Sequence, residues 1–298
     1  MKVKLLVDSA CDLPKDLLNK FDIDVLPLKI LLDDKEYLDG IDITTEKLYK
    51  EMRSGKYPKT AQVSPKIFKK YFTKYAKAGK ECIYIAFSSE LSGTYQTAVI
   101  MAEDIKEKYD NFKINIIDSK CGSTATGLVA YKAGQMIANN FSIDRILKTI
   151  RFYSTHMEHI FTLDSLKYLY HGGRINKTSA FVGDLLKIKP ILQIEKVQEG
   201  KGKIKLIKKV RGQKQALKKI IEIMKERSVY VKDQIIGISH ADDLAKALKL
   251  KKMIEKEFGY SNFIINFIGS VLGAHLGIGG VGVFFLNEEP EKSLQFNR

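Results

Sequence analysis

The sequence has few cysteines, and they are not arranged for cross-linking. Cys11, Cys82 and Cys121 are odd in number, widely spaced and in no CxxC pair, which fits neither a disulfide framework nor a zinc site. Near Met1 the apolar run covers only residues 5–7 before Asp8, far less than the apolar core of a secretory signal peptide. We therefore expect reduced thiols and a cytoplasmic protein.

Long uncharged runs are also scarce. One segment, residues 263–286, lacks Lys, Arg, Asp and Glu and is long enough to mimic a membrane span. It holds six glycines, including those of the run GIGGVG, which would break a membrane helix and leave backbone groups unpaired in lipid. The segment is therefore predicted to form a buried strand, a turn and a second strand.

The charge balance is strongly basic. The 298 residues include 50 Lys or Arg and 35 Asp or Glu, a net charge of +15, and 45% are hydrophobic. This composition excludes disorder, collagen and a coiled coil, and the length suits two domains with sizeable cores.

Residues 187–225 alone carry 13 Lys or Arg against three acids. Because a predicted hairpin there has no aromatic residue to stack on bases, we expect an acidic partner or an anionic membrane surface rather than nucleic acid.

Hydrophobic periodicity predicts an α/β fold. Short apolar runs predict strands over residues 3–7, 25–32, 82–87 and 114–117, with helices over 15–20, 45–53, 65–78, 95–108 and 122–139. This alternation favours a largely parallel sheet. Farther along, strands are predicted over 159–163, 190–197, 203–210, 234–239, 263–268 and 281–286, with helices over 166–170, 213–227 and 244–258. The hairpin around 198–202 favours an antiparallel or mixed sheet, so we predict domains over 1–157 and 158–298 around a shared cleft.

A hydroxyl-rich loop, residues 88–94, follows a buried strand and leads directly into a predicted helix. Helix starts offer unpaired N–H groups and a positive dipole end, which suit an anion. Ser92 and Thr94 would add neutral donors, and Gly93 would allow close approach to the backbone. The same hydroxyls are also typical of a helix cap, and the two roles are compatible.

Two further polar features remain open from sequence alone. Ser64 and Pro65 are typical of a helix start, but Thr60 and Gln62 just before them have no such local role and are otherwise plain loop residues. His275 lies in a glycine-rich segment whose formal GxGxxG precedes a strand instead of a helix, so no dinucleotide site is predicted. A buried histidine there requires a polar partner, either in the core or on a bound anion.

Other candidate sites are weaker. His156 and His159 lack a third metal ligand, so no metal is predicted. Arg174 follows two glycines that also suit a helix end. Ser92 with His275 resembles part of a hydrolase triad, but the loop is not a GxSxG elbow; a Ser/His acyl hydrolase remains the alternative function.

Taken together, several motifs resemble the DegV family of bacterial fatty-acid-binding proteins. They are DSACDL at 8–13, TAQVSP at 60–65, SSELSGTY at 88–95, DSL at 164–166 with GGRI at 172–175, and His275 in a glycine-rich tail. The resemblance covers nearly the whole chain. It implies two α/β domains with one fatty acid between them, and a protein that has no catalytic activity or cofactor of its own.

The resemblance also implies roles for particular residues. Thr60 and Ser92 correspond to the family's carboxylate-binding hydroxyls, His275 to its glycine-flanked histidine, and Arg211 to an arginine implicated in partner docking, with Arg174 a further head-group candidate. The partner is the ATP-binding subunit of fatty acid kinase, which phosphorylates the presented carboxylate for phospholipid synthesis. This sequence departs from the family pattern, usually TSQPSP, at Ala61 and Val63, and from a usual GPG at Ile278, so we expect an altered head-group network.

The physical chemistry suits such a ligand. Burial of an alkyl chain contributes about 0.8 kcal/mol per methylene, so about 14 methylenes contribute on the order of 10 kcal/mol before ordering costs. The carboxylate needs hydrogen-bond donors in the cleft. Neutral donors leave it nucleophilic, whereas a tight arginine clamp would quench it. We therefore predict a carrier that presents the acid without transforming it.

Overall fold

The structure, a computed structural model, describes residues 3–175, 188–195, 203–229 and 234–294. In the first half, the elements are β1 (Lys4–Asp8), α1 (Lys15–Lys20), β2 (Asp24–Leu26), β3 (Lys29–Leu32), β4 (Lys35–Leu38), α2 (Thr45–Arg53), β5 (Lys59–Ala61), α3 (Pro65–Lys77), β6 (Cys82–Ala86), α4 (Thr94–Lys106), β7 (Ile114–Asp118), α5 (Thr124–Ala138) and α6 (Ile143–His156). They are followed by β8 (Met157–Thr162), α7 (Lys167–His171), β9 (Ile188–Glu195), β10 (Lys203–Arg211), α8 (Gln213–Arg227), β11 (Ile236–His240), α9 (Leu244–Phe258), β12 (Phe263–Phe267), α10 (Ser270–Leu276) and β13 (Val281–Leu286).

The first sheet is parallel throughout, as predicted. Its strand order is β2-β1-β6-β7, and each neighbouring pair is parallel. The central strands β1 and β6 are buried along their whole length, which explains their nearly continuous apolar sequences. The carboxyl end of β6 leads directly into the hydroxyl-rich loop.

A second, antiparallel sheet of order β4-β3-β5 was not predicted. The run 25–32 was predicted as one strand, but it is two: β2 pairs with β1, whereas β3 pairs with β4 and β5. Pro27 lies between them, and proline has no N–H to donate to a continuous ladder. Strand β5 of this small sheet carries Thr60.

The sheet of the second half is mixed. Its strand order is β10-β9-β8-β13-β11-β12; β11 and β12 are parallel and the other pairs antiparallel. The antiparallel pairing of β9 with β10 confirms the predicted hairpin strands. Its turn at 198–202, and part of the basic stretch over 187–225, lie outside the described residues.

Helix α5 packs against both large sheets. Most of its residues are buried, and a Cβ at Gly237 of β11 would lie 3.0 Å from side-chain atoms of Leu128 and Thr124 on this helix. The next helix, α6, was missed by the sequence prediction. We propose the division into domains 1–157 and 158–298, with α5 at their interface; the mixed sheet starts at Met157, within one residue of this boundary.

The prediction for the uncharged segment 263–286 was partly wrong. Strands β12 and β13 form near its two ends, but the middle is the helix α10 and not a simple turn. This helix is short, contains Gly273 and is held by distant residues, so its local signal is weak. Among the described residues, no helix is both long and apolar enough to cross a membrane.

Candidate functional site: a polar cavity joined to an apolar one

A cavity of about 160 Å³ lies where β5, the loop before α4, the turn after α7 and α10 meet. We call it the head cavity. Four of the residues predicted from sequence line it, namely Thr60, Ser92, Arg174 and His275. The structure therefore brings together side chains that are up to 215 positions apart in the chain.

Thr60 and His275 are directly paired. The distance from Thr60 Oγ1 to His275 Nε2 is 2.7 Å, and His275 is 7% exposed. Burial, assisted by the nearby charge of Arg174, lowers the pKa of His275 to about 4, so the ring is neutral at pH 7. When Nε2 carries the proton, it donates to Thr60, and the threonine hydroxyl hydrogen is then free to point into the cavity.

Ser92 is oriented in a similar way. Its Oγ accepts from the backbone N–H of Thr94 at 3.3 Å and lies 2.8 Å from Thr94 Oγ1. When Thr94 donates to it, the Ser92 hydroxyl hydrogen is free for a ligand. Thr94 itself is fully buried and is not among the residues that line the cavity. Thr94 therefore lies behind Ser92, and its direct contact with a ligand stays a prediction.

Arg174 adds a positive charge to the wall. Its Nη1 donates to the carbonyl of Gly172 at 2.6 Å, and its Nη2 donates to that of Leu91 at 3.1 Å. Burial lowers the pKa of this guanidinium from its ordinary value, but an arginine in a protein still keeps its proton. The cavity therefore attracts an anion, while the two backbone carbonyls hold part of the guanidinium.

The position of the His275 ring requires a glycine at residue 172. A Cβ built at this position would overlap His275 Nδ1, and Gly172 has φ −76°, a conformation open to any residue. The absence of a side chain here therefore serves the close approach of the ring and not a special backbone angle. Nδ1 is buried and has no hydrogen-bond partner among the described residues.

Gln62, which had no local role in the sequence, spans the mouth of the cavity. Its Nε2 donates to Thr97 Oγ1 at 2.6 Å, and its Oε1 occupies the space that a Cβ on Gly93 would need. Gln62 and Gly93 both line the cavity and are exposed. The side chain thus ties β5 to α4, and this end of the cavity lies near the surface.

A second cavity, of about 60 Å³, adjoins the first. We call it the tail cavity. Five apolar residues line both cavities, namely Phe87, Leu91, Ile204, Leu272 and Leu276. The other walls of the tail cavity are mainly aromatic and aliphatic, and they include Phe161, Leu163 and Phe284. The site is therefore polar at one end and apolar at the other.

Buried acids anchor helix α10 and hence His275. Asp12 accepts from the Gly269 N–H and from Ser123 Oγ, the latter at 2.5 Å. Asp39 accepts from Ser270 at the first position of the helix. Burial, with a smaller contribution from neighbouring carboxylates, raises the pKa of Asp12 to about 8. The DSACDL motif thus positions the helix that carries the histidine.

Stability should fall with rising pH because of Asp12. An unfolded aspartate has a pKa of about 3.9, so between about pH 4 and 8 the folded protein holds a proton that the unfolded chain has released. Two other buried groups titrate mainly below this window: the pKa of Asp8 is raised by burial only to about 6, and that of His275 lies near 4. Between pH 6.5 and 8, wild type should therefore lose up to about 2 kcal/mol more unfolding free energy than Asp12→Asn.

The measurement is urea unfolding at both pH values. Asp34→Asn, which changes an exposed carboxyl, is the matched control and should follow wild type. An Asp12→Asn protein that loses as much stability as wild type would contradict this role.

The remaining candidate residues lie outside the head cavity, although His159 lines the tail cavity. Arg211 is exposed at the end of β10 and lines neither cavity. His156 pairs with Asn287 at 3.2 Å, while His159 lies against the backbone of Met157 and Gly122. Within the described ranges, no group of three His, Cys, Asp or Glu could hold a metal ion.

The hydrolase alternative lacks its central contact. Although Ser92 and His275 line the same cavity, Ser92 Oγ pairs with Thr94 and His275 Nε2 pairs with Thr60. No hydrogen bond joins these two described side chains, whereas an activated serine needs a base within hydrogen-bond reach. The pairing favours binding over nucleophilic attack.

The three residues that depart from the family pattern, Ala61, Val63 and Ile278, differ in their distance from the site. Ala61 lines the head cavity, so no hydroxyl is offered there. Val63 is fully buried in the core, and Ile278 packs against the same core. The glycine before it, Gly277, has φ +76° and lies against the Tyr168 ring. Of the three substitutions, only Ala61 changes the lining of the site.

Comparison with known proteins agrees with this architecture. A 38% identical DegV domain-containing protein of Clostridium perfringens aligns over 97% of this chain and 99% of its own. A fatty acid-binding protein of Thermotoga maritima is 34% identical over 95% of this chain and 96% of its own. The crystal structure of a stearic acid-binding protein of Eubacterium ventriosum superimposes with a TM-score of 0.84, at 25% identity, covering 95% of this chain and 98% of that one.

The family assignment rests on nearly the whole chain. The sequence model of the uncharacterised DegV proteins matches residues 2–288, which include every motif and every cavity-lining residue discussed above. The chain is therefore a member of the DegV family.

Proposed function

We propose that this protein binds one long-chain fatty acid, with the carboxylate in the head cavity and the acyl chain in the tail cavity. The observation that carries the proposal is the junction of a hydroxyl-lined, positively charged cavity with an apolar one. A fatty acid matches this arrangement, because it has a polar carboxylate at one end and an apolar chain along the rest of its length. The fatty acid-binding relatives agree with this ligand class.

The head cavity is matched to an acceptor. Thr60 and Ser92 have hydroxyl hydrogens free for a ligand when His275 Nε2 and Thr94 Oγ1 act as the donors to them, and a carboxylate offers only acceptor lone pairs. Arg174 and the start of α4 favour negative charge. Because His275 is neutral, it holds Thr60 in place without adding a second charge.

The orientation follows from burial. The head cavity lies beside the exposed Gln62 and Gly93, whereas Gly122 and Gly282 in the tail cavity are buried. This contrast supports an orientation in which the carboxylate lies beside the exposed residues and the acyl chain lies among the buried ones. Such an arrangement presents the acid to a partner enzyme while the acyl chain stays out of water.

The direct test is to identify the lipid that copurifies. Denaturing extraction and mass spectrometry of the purified protein should yield about one fatty acid per chain. The same preparation should show no ester turnover, in contrast to the hydrolase alternative. A delipidated protein that binds neither hexadecanoate nor octadecenoate would refute the proposal.

We propose further that the protein acts in the cytoplasm as the acid-presenting partner of a fatty acid kinase. In that reaction a carboxylate oxygen attacks the γ-phosphorus of ATP, and ADP leaves as the acyl phosphate forms. The kinase subunit supplies ATP and the catalytic groups. This chain supplies the aligned carboxylate, and the acyl phosphate then enters phospholipid synthesis.

The basic strand β10 is the proposed docking element. Lys208, Lys209 and Arg211 are exposed on it, and a cluster of like charge attracts an acidic protein or an anionic membrane. Lys208→Glu with Lys209→Glu should slow acyl-phosphate formation at least tenfold and leave fatty acid affinity unchanged. The control is Lys249→Glu with Lys252→Glu, which reverses two exposed charges on α9. If both pairs of substitutions have equal effects, β10 is not a docking element and its lysines are only solvated surface residues.

A further inference from the structure

Helix α9 carries an almost fully buried lysine, Lys246. Its side chain is only 3% exposed, and a buried charge is costly unless it is paired and hydrogen-bonded. Its Nζ donates to the carbonyl of Gly279 and lies 3.1 Å from an Asp243 oxygen and 3.4 Å from an Asp164 oxygen. Neither Lys246 nor Asp164 is among the described residues that line the two cavities. The charge is therefore held behind the site by groups that do not face the ligand.

The first of these groups fixes the end of α10. Gly279 lies four residues after His275, in the turn that follows this helix. Its N–H donates to the carbonyl of Ala241 at 2.7 Å, and the N–H of Ala241 donates to the carbonyl of Gly280 at 2.8 Å. Lys246 adds a donor to the Gly279 carbonyl. The turn is thus attached to the end of β11 and to α9.

The second group leads to the opposite wall of the head cavity. Asp164 lies between β8 and α7, and the chain continues through α7 to Arg174. Its carboxylate is 2.8 Å from Lys189 Nζ on β9, and a Cβ on Gly279 would overlap it. The Lys246 ammonium group therefore joins the two chain segments that carry His275 and Arg174.

These two segments also touch each other closely. A Cβ on Gly277 would lie 2.5 Å from a ring carbon of Tyr168 in α7, and one on Gly172 would overlap the His275 ring. Contacts this close leave no room for one segment to slide along the other. A shift at the buried lysine therefore changes the spacing of the cavity walls.

We propose that Lys246 and Asp164 form a positioning pair, which holds α10 with His275 and α7 with Arg174 at the spacing that a carboxylate requires. The pair deepens the proposed function, on which it rests, because it would give the protein its preference for an acid over a neutral lipid of equal length. The two residues act through His275 and Arg174, without touching the ligand. Arg174 attracts negative charge, so its displacement weakens a carboxylate more than an alcohol.

The test compares hexadecanoate with hexadecan-1-ol on delipidated protein. Lys246→Met keeps the length of the side chain and removes its charge. Its affinity for hexadecanoate should fall at least about tenfold, whereas that for hexadecan-1-ol should stay within about threefold of wild type. In the double variant with Asp164→Asn, the loss should be no larger than in Lys246→Met alone, because residues that act as a unit are not additive.

A spectroscopic readout reports on the histidine itself. Burial and the charge of Arg174 lower the pKa of His275 to about 4. If α10 loosens in Lys246→Met, water reaches the ring, and its pKa, followed by NMR titration, should rise toward the ordinary value. An unchanged pKa of His275 in this variant would contradict the positioning role.

Two controls lie on the same helix. Lys251→Met removes a half-buried lysine and its 3.2 Å ion pair with Glu255. Leu250→Ala empties space in the core beneath α9 and lowers stability without changing a charge. Both should keep the ratio of acid to alcohol affinity and the pKa of His275. An equal change of the ratio in Leu250→Ala and Lys246→Met would mean that general loosening, and not the pair, weakens binding.

The outcomes separate the positioning pair from the function on which it rests. If wild type does not bind hexadecanoate, the proposed function fails. If wild type binds and a folded Lys246→Met protein keeps its ratio of acid to alcohol affinity, the pair is wrong and the function stands. If Lys246→Met does not fold, Asp164→Asn decides, since it changes an exposed carboxyl; its ratio should fall at least about threefold, and an unchanged ratio would overturn the pair.

Discussion

Replacement of Ser92 by alanine together with Thr60 by valine should lower the affinity for hexadecanoate by about 100-fold or more. Both hydroxyls line the head cavity with their oxygens held by Thr94 and His275. A hydrogen bond to a charged acceptor contributes about 1.5–3 kcal/mol, or roughly tenfold to a hundredfold. Under the proposed function, we expect the pair to supply much of the head-group recognition and the acyl chain to supply the remaining affinity.

Calorimetric titration of the delipidated double variant measures this effect. The affinity for hexadecan-1-ol should fall less than about tenfold in the double variant, because in wild type the two hydroxyls then donate to a neutral oxygen. Thr149→Val and Ser54→Ala remove hydroxyls away from both cavities and should leave binding unchanged. If the double variant folds and binds hexadecanoate within about threefold of wild type, the two hydroxyls are only local caps.

The second large effect is expected at Gly172. An added methyl would overlap His275 Nδ1, so the ring must leave its place beside Thr60. Overpacking of a close contact costs about 1–3 kcal/mol. Gly172→Ala should therefore lower the unfolding free energy by about that amount and weaken hexadecanoate binding at least tenfold.

The adjacent glycine gives a matched control. Gly173 has φ +71° and open space around a Cβ, so Gly173→Ala strains the backbone by about 1–2 kcal/mol without touching the histidine. Its stability should fall and its affinity should stay within about threefold of wild type. Equal losses of affinity in both variants would mean that destabilisation of the turn, and not the displaced ring, weakens binding.

Local patterns predicted most of the architecture and drew attention to polar residues that line the head cavity. The runs that became β1 and β6 are continuous and apolar, and α2, α8 and α9 have clear helical spacing, so each element carries its own signal. Ser92 stands out because it lies just before a helix start, whereas Thr60 stands out because no local role explains it. Their convergence on His275 in one cavity depends on the fold, but the family motifs indicated it.

The features that were missed are created by distant contacts. Helix α10 is seven residues long and depends on Asp12 and Asp39 for its first turn. Gly172 was interpreted as a helix end, which is locally correct, since it caps α7. Nothing near it in sequence reveals that His275 needs the space. The tail cavity combines Gly122, His159 and Gly282, and no periodicity links such residues.

The most direct test of the account is a crystal structure of the protein with hexadecanoic acid. We predict carboxylate oxygens within about 3.2 Å of Thr60 Oγ1 and Ser92 Oγ. The acyl chain should pass Phe87 and end in the tail cavity. An acid bound in the reverse direction, or outside the two joined cavities, would contradict the central claim.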